Sequence, residues 1–317
     1  MTLSRRKFLG TTAIAAASSM SVGCAGWNVG QRHADKPAFL LMHGAWHGSW
    51  AYAQVIPTLA QYGHAAVAID LPGHGLDARF PRSYLKRPLD RAAFAAEPSP
   101  VSEVTLAQCV DHVIRTIGQL HSGGFKRVVL VSHSLSGGVM TRVAEQAPEK
   151  LDAMVYLTAL MLPVGKTAGD VYSMPQAEGV EIPSLVMADP GAVRASRIDP
   201  LSTDPEYLAR TKRAFYGDLT DAQFEAVAHL LIPDEPIAIG VDRTQKTVER
   251  WGRVKRCYIQ CLQDKTIPLA LQQWFIDEAD QFAPQNPTLV RSLDSSHSPF
   301  FSMPNALART LSEMVSA

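Results

Sequence analysis

The sequence is poor in cysteine and lacks any long hydrophobic run. Only four of its 317 residues are Cys, and no apolar stretch approaches the ~18 residues that a membrane-spanning helix needs. Basic and acidic residues balance at 30 each, and the only dense basic cluster, Arg5-Arg6-Lys7, lies at the N-terminus. A disulfide scaffold, a membrane-spanning bundle and a nucleic-acid-binding protein are therefore disfavoured. Hydrophobic residues make up 46% of the chain, which is typical of a globular protein.

The first 24 residues have the pattern of an export signal. Arg5 and Arg6 precede an Ala- and Ser-rich apolar stretch, and the first acidic residue is Asp35. This pattern resembles a twin-arginine (Tat) signal, whose cargo crosses the membrane already folded. We therefore expect an exported, periplasmic protein in which residues 25–36 form a linker and residues 37–317 form the folded domain.

Cys24 closes the segment SVGC, which resembles a bacterial lipobox with Ser21 in place of the usual Leu. Two outcomes stay open, lipidation of Cys24 and simple cleavage of the signal. A lipid would attach the protein to a membrane without spanning it. Such an anchor is the only membrane contact that the sequence predicts.

The other three cysteines do not predict a disulfide. Cys257 and Cys261 are four residues apart in a predicted strand, so their Cα atoms are expected to lie ~13 Å apart, beyond disulfide reach. Together with Cys109 they are expected to be small buried residues. No residue spacing predicts a metal site, and no cofactor is expected.

Five short apolar runs, at 38–42, 65–69, 127–131, 154–158 and 257–262, alternate with longer helical patterns. Strands that are apolar throughout are buried on both faces. The alternation therefore predicts an α/β fold with a mostly parallel sheet that is covered by helices on both sides.

Two stretches interrupt this alternation. Residues 76–104 are rich in Pro, Arg and Ala and are expected to form an excursion beside the strand ends. About 90 residues, at 163–251, contain no clear strand but have helical patterns around 205–216 and 220–231. We predict a helical cap inserted into the sheet domain, and we expect both stretches to set substrate choice.

Ser134 lies where a strand is expected to turn into a helix. It stands in SHSLS, directly after an apolar run and before a glycine pair. This context is that of a nucleophile elbow, in which a tight turn holds a serine Oγ above the sheet. The usual motif is G-x-S-x-G, and Ser132 and Ser136 replace its two glycines with the next smallest polar side chain. The alternative is that Ser134 only caps a helix.

A carboxylate and a histidine follow Ser134 in the order that a catalytic triad on such a sheet requires. Asp264 directly follows a predicted strand, and His297 is the only histidine after position 229. A carboxylate at that place can hold the histidine Nδ1 and stabilise the imidazolium. Asp294 is a weaker competitor for the acid. Three further carboxylates in a helical pattern are expected to be solvated: Asp277, Glu278 and Asp280.

An oxyanion hole requires two backbone N–H groups that point at the developing charge. Leu135, directly after the serine, is expected to supply one, and Ala45, in the loop after the first apolar run, the other. Gly44 allows the backbone to approach a substrate closely. His43 and His47 lack a nearby carboxylate, so we expect them to shape this loop by hydrogen bonds and not to bind metal.

At these residues a family becomes recognisable. The segments LMHGAWHGSW at 41–50 and AIDLPGHG at 68–75, together with Ser134, resemble the α/β-hydrolase group of plant methylesterases and hydroxynitrile lyases. The tail SHSPFFSMP at 296–304 is more similar to bacterial carboxylesterases of that group, including pyrethroid hydrolases. The resemblance covers about residues 37–315, and it implies the α/β-hydrolase fold and a serine triad.

The same resemblance implies a second possible activity, that of a hydroxynitrile lyase. Hydroxynitrile lyases of the group use a threonine two residues after the strand end and a lysine directly after the catalytic histidine. Gly44 and Ser298 occupy those positions here, which favours the esterase. Related dehalogenases and epoxide hydrolases use an aspartate at the elbow, which Ser134 excludes.

We therefore expect a serine hydrolase that cleaves small, neutral, hydrophobic or aromatic carboxylic esters through an acyl-enzyme. The alternatives are a lyase on the same triad and an exported binding protein that retains the fold without turnover. The number of chains in the assembly stays open. Several residues are expected to line an apolar pocket: Trp46, Trp50, Leu135, Met161 and Phe300.

Overall fold

A computed structural model describes residues 36–316 of the chain. The predicted signal at residues 1–24, the lipobox cysteine Cys24 and all but the last residue of the predicted linker lie outside the described residues.

Six strands form one parallel sheet in the order β2-β1-β3-β4-β7-β8. All five apolar runs form strands of this sheet, which confirms the predicted sheet, and the edge strand β8 completes it. The third run continues three residues further than expected, so that Ser134 is the last residue of its strand. The strands are β1 Ala38–Met42, β2 Ala66–Ile69, β3 Val128–Ser134, β4 Ala153–Ala159, β7 Arg256–Cys261 and β8 Leu289–Leu293.

Twelve α-helices are described between and after the strands. They are α1 Val55–Gln61, α2 Arg91–Ala96, α3 Leu106–Ser122, α4 Gly137–Gln146, α5 Ala168–Tyr172, α6 Pro190–Val193, α7 Pro205–Tyr216, α8 Asp221–Ala228, α9 Ile237–Val241, α10 Leu269–Phe282, α11 Pro299–Ser302 and α12 Pro304–Ser316. Short 3₁₀ turns lie at Ser49–Tyr52, Gly75–Asp77, Pro148–Lys150, Pro175–Ala177, Ile182–Ser184 and Trp251–Arg253.

The core has one layer on each face of the sheet, because alternate side chains of each strand point to opposite faces. On one face, Leu40 of β1 packs in a cluster with apolar residues of α3, α4 and α10. On the other face, Phe39 packs in a cluster with residues of α1 and α12. This is the predicted covering of both faces by helices. It leaves the carboxyl ends of the strands as the edge at which a site forms.

The segment between β4 and β7 contains α7 and α8 at the two places where helical patterns predicted them. It also contains a small antiparallel sheet of β5 (Ala195–Arg197) and β6 (Asp234–Pro236), which corrects the expectation of a purely helical insertion. Each strand has only three residues, too few to show an alternating pattern. A buried bidentate ion pair between Arg197 and Asp234, at 2.6 and 2.7 Å, joins the two strands.

Cys109, Cys257 and Cys261 are buried free thiols, as predicted. Over residues 36–316, no helix is long and apolar enough to cross a membrane. Within the same span, no group of three or more His, Cys, Asp or Glu side chains is arranged to hold a metal ion.

Candidate active site

Ser134 ends β3 in a strained backbone conformation. Its φ is 56°, in the left-handed region that L-residues other than Gly, Asn and Asp rarely adopt, and the pairing of β3 with β4 shifts register between His133 and Ser134. The carbonyl of Ser134 accepts a hydrogen bond from the Leu160 N–H at 3.0 Å, which holds the turn against the end of β4. The side chain is 6% exposed. These are the features of a nucleophile elbow.

Of the two serines that flank this turn, Ser136 takes part in it directly. Ser136 Oγ accepts a hydrogen bond from the His133 N–H at 3.1 Å and donates one to the His133 carbonyl at 2.9 Å, closing the turn on itself. The position in this turn that has no room for a side chain is the next one, Gly137. A β-carbon on Gly137 would lie 2.5 Å from the Leu160 carbonyl oxygen. The departure from G-x-S-x-G is therefore compatible with the elbow.

Asp264 and His297 form a buried pair. The His297 Nδ1–H donates to Asp264 Oδ2 at 2.7 Å, and both side chains are almost completely excluded from solvent. Asp264 Oδ1 accepts the backbone N–H groups of Thr266 and Ile267 at 2.7 and 2.9 Å. Because a carboxylate can only accept, the pair fixes the proton on Nδ1 and leaves Nε2 free to act as a base.

A second histidine joins the serine turn to the loop that carries His297. His133 Nε2 donates to the main-chain carbonyl of His297 at 2.9 Å, and the two rings lie 4.5 Å apart between centroids. Since His133 directly precedes Ser134, this bond brings the His297 loop beside the serine. Burial and the neighbouring His297 hold the pKa of His133 well below its usual value.

The competing carboxylates lie elsewhere. Asp294 is exposed and accepts a hydrogen bond from Gln263 at 2.7 Å. Asp280 pairs with Arg256 at 3.2 Å. Asp277 is exposed on α10 and accepts from Gln273 at 2.9 Å. The structure therefore brings Asp264, and not these alternatives, to His297.

The loop after β1 passes directly against the serine. A β-carbon on Gly44 would lie 2.8 Å from the Ser134 β-carbon and 2.5 Å from His133 Nδ1, so only glycine fits there. In the part of the chain that the structure describes, neither the Ala45 N–H nor the Leu135 N–H donates a hydrogen bond. Two unused donors beside a nucleophile are what an oxyanion hole requires.

His43 and His47 fix the orientation of this loop, as expected from the sequence. His43 Nδ1 donates to the Gly44 carbonyl at 2.8 Å, and its Nε2 accepts the Leu71 N–H at 3.0 Å. In a trans peptide the C=O and the following N–H point in opposite directions, so this bond turns the Ala45 N–H away from His43. Burial lowers the pKa of His43 and brings that of His47 to about 3, which keeps both rings neutral.

The cap holds the same loop from the other side through Glu235 of β6. Trp46 has a φ of 62°, and its N–H donates to Glu235 Oε2 at 2.9 Å. His74 Nε2 donates to the same oxygen at 2.7 Å. Burial alone would lower the pKa of His74, but the Glu235 carboxylate outweighs it and raises the pKa. A buried His74–Glu235 pair therefore supports the strained residue next to Ala45.

The end of α7, with the residues that follow it, contacts three loops of the candidate site. The Tyr216 hydroxyl donates to His47 Nε2 at 2.6 Å, in the loop after β1 (residues 43–48), which we call the oxyanion loop. Thr266 Oγ1, beside Asp264, donates to the Ala214 carbonyl at 2.8 Å. The Ser296 N–H donates to Asp218 at 2.9 Å, one residue before His297. The cap is therefore part of the frame that positions the candidate catalytic groups.

The residues predicted to line a pocket divide into two groups. Trp46 lies under the cap, where its ring packs 5.7 Å from that of Phe215, and Trp50 stacks on His47 at 5.5 Å. Met161 and Phe300 are fully buried in the two core layers. Phe300 packs edge-on against His133 at 4.9 Å and thus supports the serine turn from below.

A groove of about 730 Å³ lies on the cap between α7 and α8, where Leu208, Gly217 and Phe224 contribute to its walls. None of the predicted catalytic or pocket residues lines it. Ser134 itself is only 6% exposed and lies against the loop after β1. We assign the chemistry to the Ser134 region because the bond from His133 to the His297 carbonyl ties the hydrogen-bonded acid and base to the serine turn.

Sequence reasoning missed two residues that support the site. Thr158, at the end of β4, donates its hydroxyl to Asp264 Oδ2. A threonine in an apolar strand is an ordinary strand residue, so the sequence carries no signal for this role. Glu235 stands between Asp234 and Pro236 in a largely apolar stretch, and an acidic residue in such a place was a signal that buried pairing would explain.

Comparison with known proteins agrees with this geometry. Residues 39–310 match the model of the alpha/beta hydrolase family. A pyrethroid hydrolase of Sphingobium wenxiniae is 25% identical over 279 residues, which cover 88% of this chain and 87% of that protein. Methylesterase 1 of Arabidopsis thaliana is 27% identical over 286 residues, which cover 86% of this chain and 94% of that protein. The resemblance inferred from the motifs is thereby confirmed.

Solved structures share the fold. A crystal structure of a pyrethroid hydrolase from Sphingobium faniae has a TM-score of 0.67 at 22% identity, with 89% of this chain and 98% of that chain covered. A crystal structure of polyneuridine aldehyde esterase has a TM-score of 0.65 at 19% identity, with 88% and 99% covered. At these identities the structures establish the fold alone.

Proposed function

We propose that this chain, which belongs to the alpha/beta hydrolase family, is a serine hydrolase that cleaves carboxylic esters through an acyl-enzyme. The observation that carries the proposal is the buried Asp264–His297 hydrogen bond of 2.7 Å beside a serine held at a φ of 56°. A solvated histidine or a helix-capping serine would need neither feature. The names of two relatives, a pyrethroid hydrolase and a methylesterase, support the hydrolytic reaction.

Each group has a defined role in this proposal. His297 Nε2 takes the proton of Ser134 Oγ as that oxygen attacks the ester carbonyl, and Asp264 stabilises the resulting imidazolium. The N–H groups of Ala45 and Leu135 stabilise the oxyanion. The alcohol leaves with the proton returned by His297, and water then attacks the acyl-enzyme by the same steps.

We further propose that the substrate is neutral and hydrophobic or aromatic. His43, His47 and His133 surround the serine turn, and burial lowers the pKa of each so that all three are uncharged near neutral pH. His74 is paired with Glu235, whose carboxylate raises the pKa of His74 and so favours a charge-compensated pair. The rings of Trp46 and Phe215 lie over the same region, which favours apolar groups on the substrate.

The test is hydrolysis of short- and medium-chain p-nitrophenyl esters by the wild type and Ser134→Ala. Loss of the nucleophile is expected to lower the rate by several orders of magnitude. Ser122→Ala, at the end of α3, is the matched control, and we expect it to keep full activity. Hydrolysis that survives in Ser134→Ala overturns the proposed nucleophile.

The lyase alternative conflicts with the space around Gly44. A threonine there would place its β-carbon 2.8 Å from that of Ser134. Ser298, where the lyases have lysine, is 1% exposed and offers no cation to a departing cyanide. Cyanide release from mandelonitrile tests this alternative directly, and we expect none.

The binding-protein alternative has its own test. Ligand binding that is unaffected by Ser134→Ala, without any ester hydrolysis, would support it.

We propose, finally, that the protein is exported through its twin-arginine segment. The support is the pattern of residues 1–24, with Arg5 and Arg6 before an apolar stretch. Replacement of both arginines by lysine is expected to retain the protein in the cytoplasm, as measured by cell fractionation. Metabolic labelling with a fatty acid, compared between the wild type and Cys24→Ala, distinguishes lipidation from simple cleavage.

A further inference from the structure

The excursion after β2 displays large apolar side chains to solvent. Leu76 is fully exposed, Leu85 is 67% exposed and Phe80 is 38% exposed, all within ten residues. Single exposed apolar residues are common on protein surfaces, but a cluster in one short segment marks an interaction site. We call residues 76–91 the basic segment, because of the charges described next.

The basic segment has the opposite charge to the rest of the described chain. It contains five basic and two acidic residues, whereas the remainder of residues 36–316 contains 21 basic and 27 acidic residues. The five basic side chains are exposed and alternate with the apolar ones along the segment. They are Arg79, Arg82, Lys86, Arg87 and Arg91.

The exposed apolar and basic side chains of residues 80–87 lie on one compact stretch of chain, and Leu76 is four residues before it. Pro81, Ser83 and Tyr84 are buried and face the protein, so their neighbours in the chain face outward. Consecutive turns, from the Tyr84 N–H to the Pro81 carbonyl at 3.1 Å and from the Lys86 N–H to the Ser83 carbonyl at 3.2 Å, keep the segment compact. At about 2 Å per residue in such turns, residues 80–87 span only ~16 Å.

The segment is also held firmly in place. Glu97 accepts hydrogen bonds from the N–H groups of Arg82 and Ser83, each at 2.8 Å. Arg197 of the cap donates to the carbonyls of Phe94 and Glu97. The part of the segment around Leu85 is therefore preorganised, and it cannot turn inward without breaking these bonds.

We propose that the basic segment docks the protein onto an anionic lipid bilayer. Leu76, Phe80 and Leu85 enter the boundary between headgroups and acyl chains, and the surrounding guanidinium and ammonium groups bind lipid phosphates. The charge pattern favours this partner, because the rest of the described chain is net acidic and is repelled by the same surface. Each basic side chain near an anionic bilayer contributes roughly a fivefold increase in affinity. This inference is independent of the proposed ester hydrolysis.

The test is co-sedimentation with vesicles of equal parts phosphatidylglycerol and phosphatidylcholine, compared with pure phosphatidylcholine vesicles. The full chain carrying Cys24→Ser is used as the parent, so that no lipid is attached at that position. Two variants probe the segment, Leu76→Ser/Leu85→Ser and Arg82→Gln/Lys86→Gln. Two matched controls change exposed residues elsewhere, Leu230→Ser/Leu269→Ser and Lys126→Gln/Arg253→Gln. Unchanged hydrolysis of p-nitrophenyl acetate, or an unchanged Tm if no ester is hydrolysed, shows that each variant is folded.

We expect the parent to bind the anionic vesicles at least tenfold more tightly than the neutral ones. Both segment variants should lose fivefold or more, and both controls should bind like the parent. Binding should also fall at about 0.5 M NaCl, where exposed charges are screened. Equal binding by segment and control variants, or no binding by the parent, overturns the proposal. Loss in the arginine and lysine variant alone would leave only ionic adsorption, which contradicts insertion of the leucines.

Discussion

The hydroxyl of Thr158 donates a hydrogen bond to Asp264 Oδ2, the same oxygen that accepts the Nδ1–H of His297. Thr158 is fully buried and has a φ of 37°, a region that a β-branched residue almost never adopts. Backbone strain of this kind costs about 1–3 kcal/mol and persists only where the surrounding structure imposes it. We infer that Thr158 positions the catalytic acid.

Replacement of Thr158 by valine should therefore lower kcat/KM about tenfold, because one charge-assisted hydrogen bond to the carboxylate is lost. Valine keeps the branched shape, and Thr158→Ser keeps the hydroxyl and should restore activity. With one donor fewer, the carboxylate holds the imidazolium proton more tightly. The acidic limb of the pH profile of kcat/KM should then move to higher pH in Thr158→Val alone. An unmoved profile would reduce Thr158 to a packing residue.

Asp264→Asn tests whether Asp264 keeps the proton of His297 on Nδ1 and leaves Nε2 free to act as the base. The amide nitrogen can donate to His297 Nδ1, which favours the proton on Nε2 and so blocks proton transfer from Ser134. We expect kcat to fall by about 10³–10⁴-fold with little change in KM. Asp294→Asn is the matched control on the competing carboxylate and should keep wild-type kinetics. A large loss of kcat in Asp294→Asn, with wild-type kinetics in Asp264→Asn, would identify Asp294 as the catalytic acid of the triad.

Gly44→Ala tests the close contact between the oxyanion loop and the serine turn. The new β-carbon would lie within 3 Å of Ser134 and His133, so the loop must shift away from Ser134. Such a displacement misplaces the Ala45 donor, and loss of one oxyanion donor lowers kcat by about 10²–10³-fold. Gly118→Ala, in α3, meets no atom within 4 Å and should leave kcat unchanged. Wild-type activity in Gly44→Ala would place the oxyanion hole elsewhere.

His47 makes the fold sensitive to acid. Burial lowers its pKa to about 3, so below the ordinary histidine pKa the unfolded chain takes up a proton that the folded chain does not. The native state is then destabilised as the pH falls, by about 2 kcal/mol between about pH 7.5 and pH 5. His47→Gln should remove that part of the pH dependence in urea unfolding, whereas His229→Gln, on an exposed residue, should not. Parallel curves for all three proteins would refute a neutral His47.

The sheet was predictable because each of its central strands contains a largely apolar run of five or six residues that is flanked by helical patterns. The predictions failed for β5 and β6, whose three residues each show no periodicity. Their pairing depends on a buried Arg197–Asp234 contact across 37 residues of chain, and single-sequence patterns contain no information on such distant partners.

The candidate triad was predictable from order and context, since Ser134, Asp264 and His297 each lie at or shortly after the end of an apolar run. The supporting residues were not. His133, Thr158 and Glu235 act through hydrogen bonds to atoms far away in sequence. Nothing in their local segments distinguishes His133 and Thr158 from core residues, and the acidic Glu235 signals a buried pair without identifying its partners. The tertiary structure was needed to bring them to the site.

The most direct test of the account is covalent labelling with diisopropyl fluorophosphate, followed by intact-mass measurement and peptide mapping. An activated serine next to a base reacts with this reagent, whereas ordinary serines do not. The account predicts one phosphoryl adduct per chain, on Ser134, with ester hydrolysis lost in proportion and no adduct in Ser134→Ala. An adduct on another residue, or full hydrolysis that persists without any adduct, would contradict it.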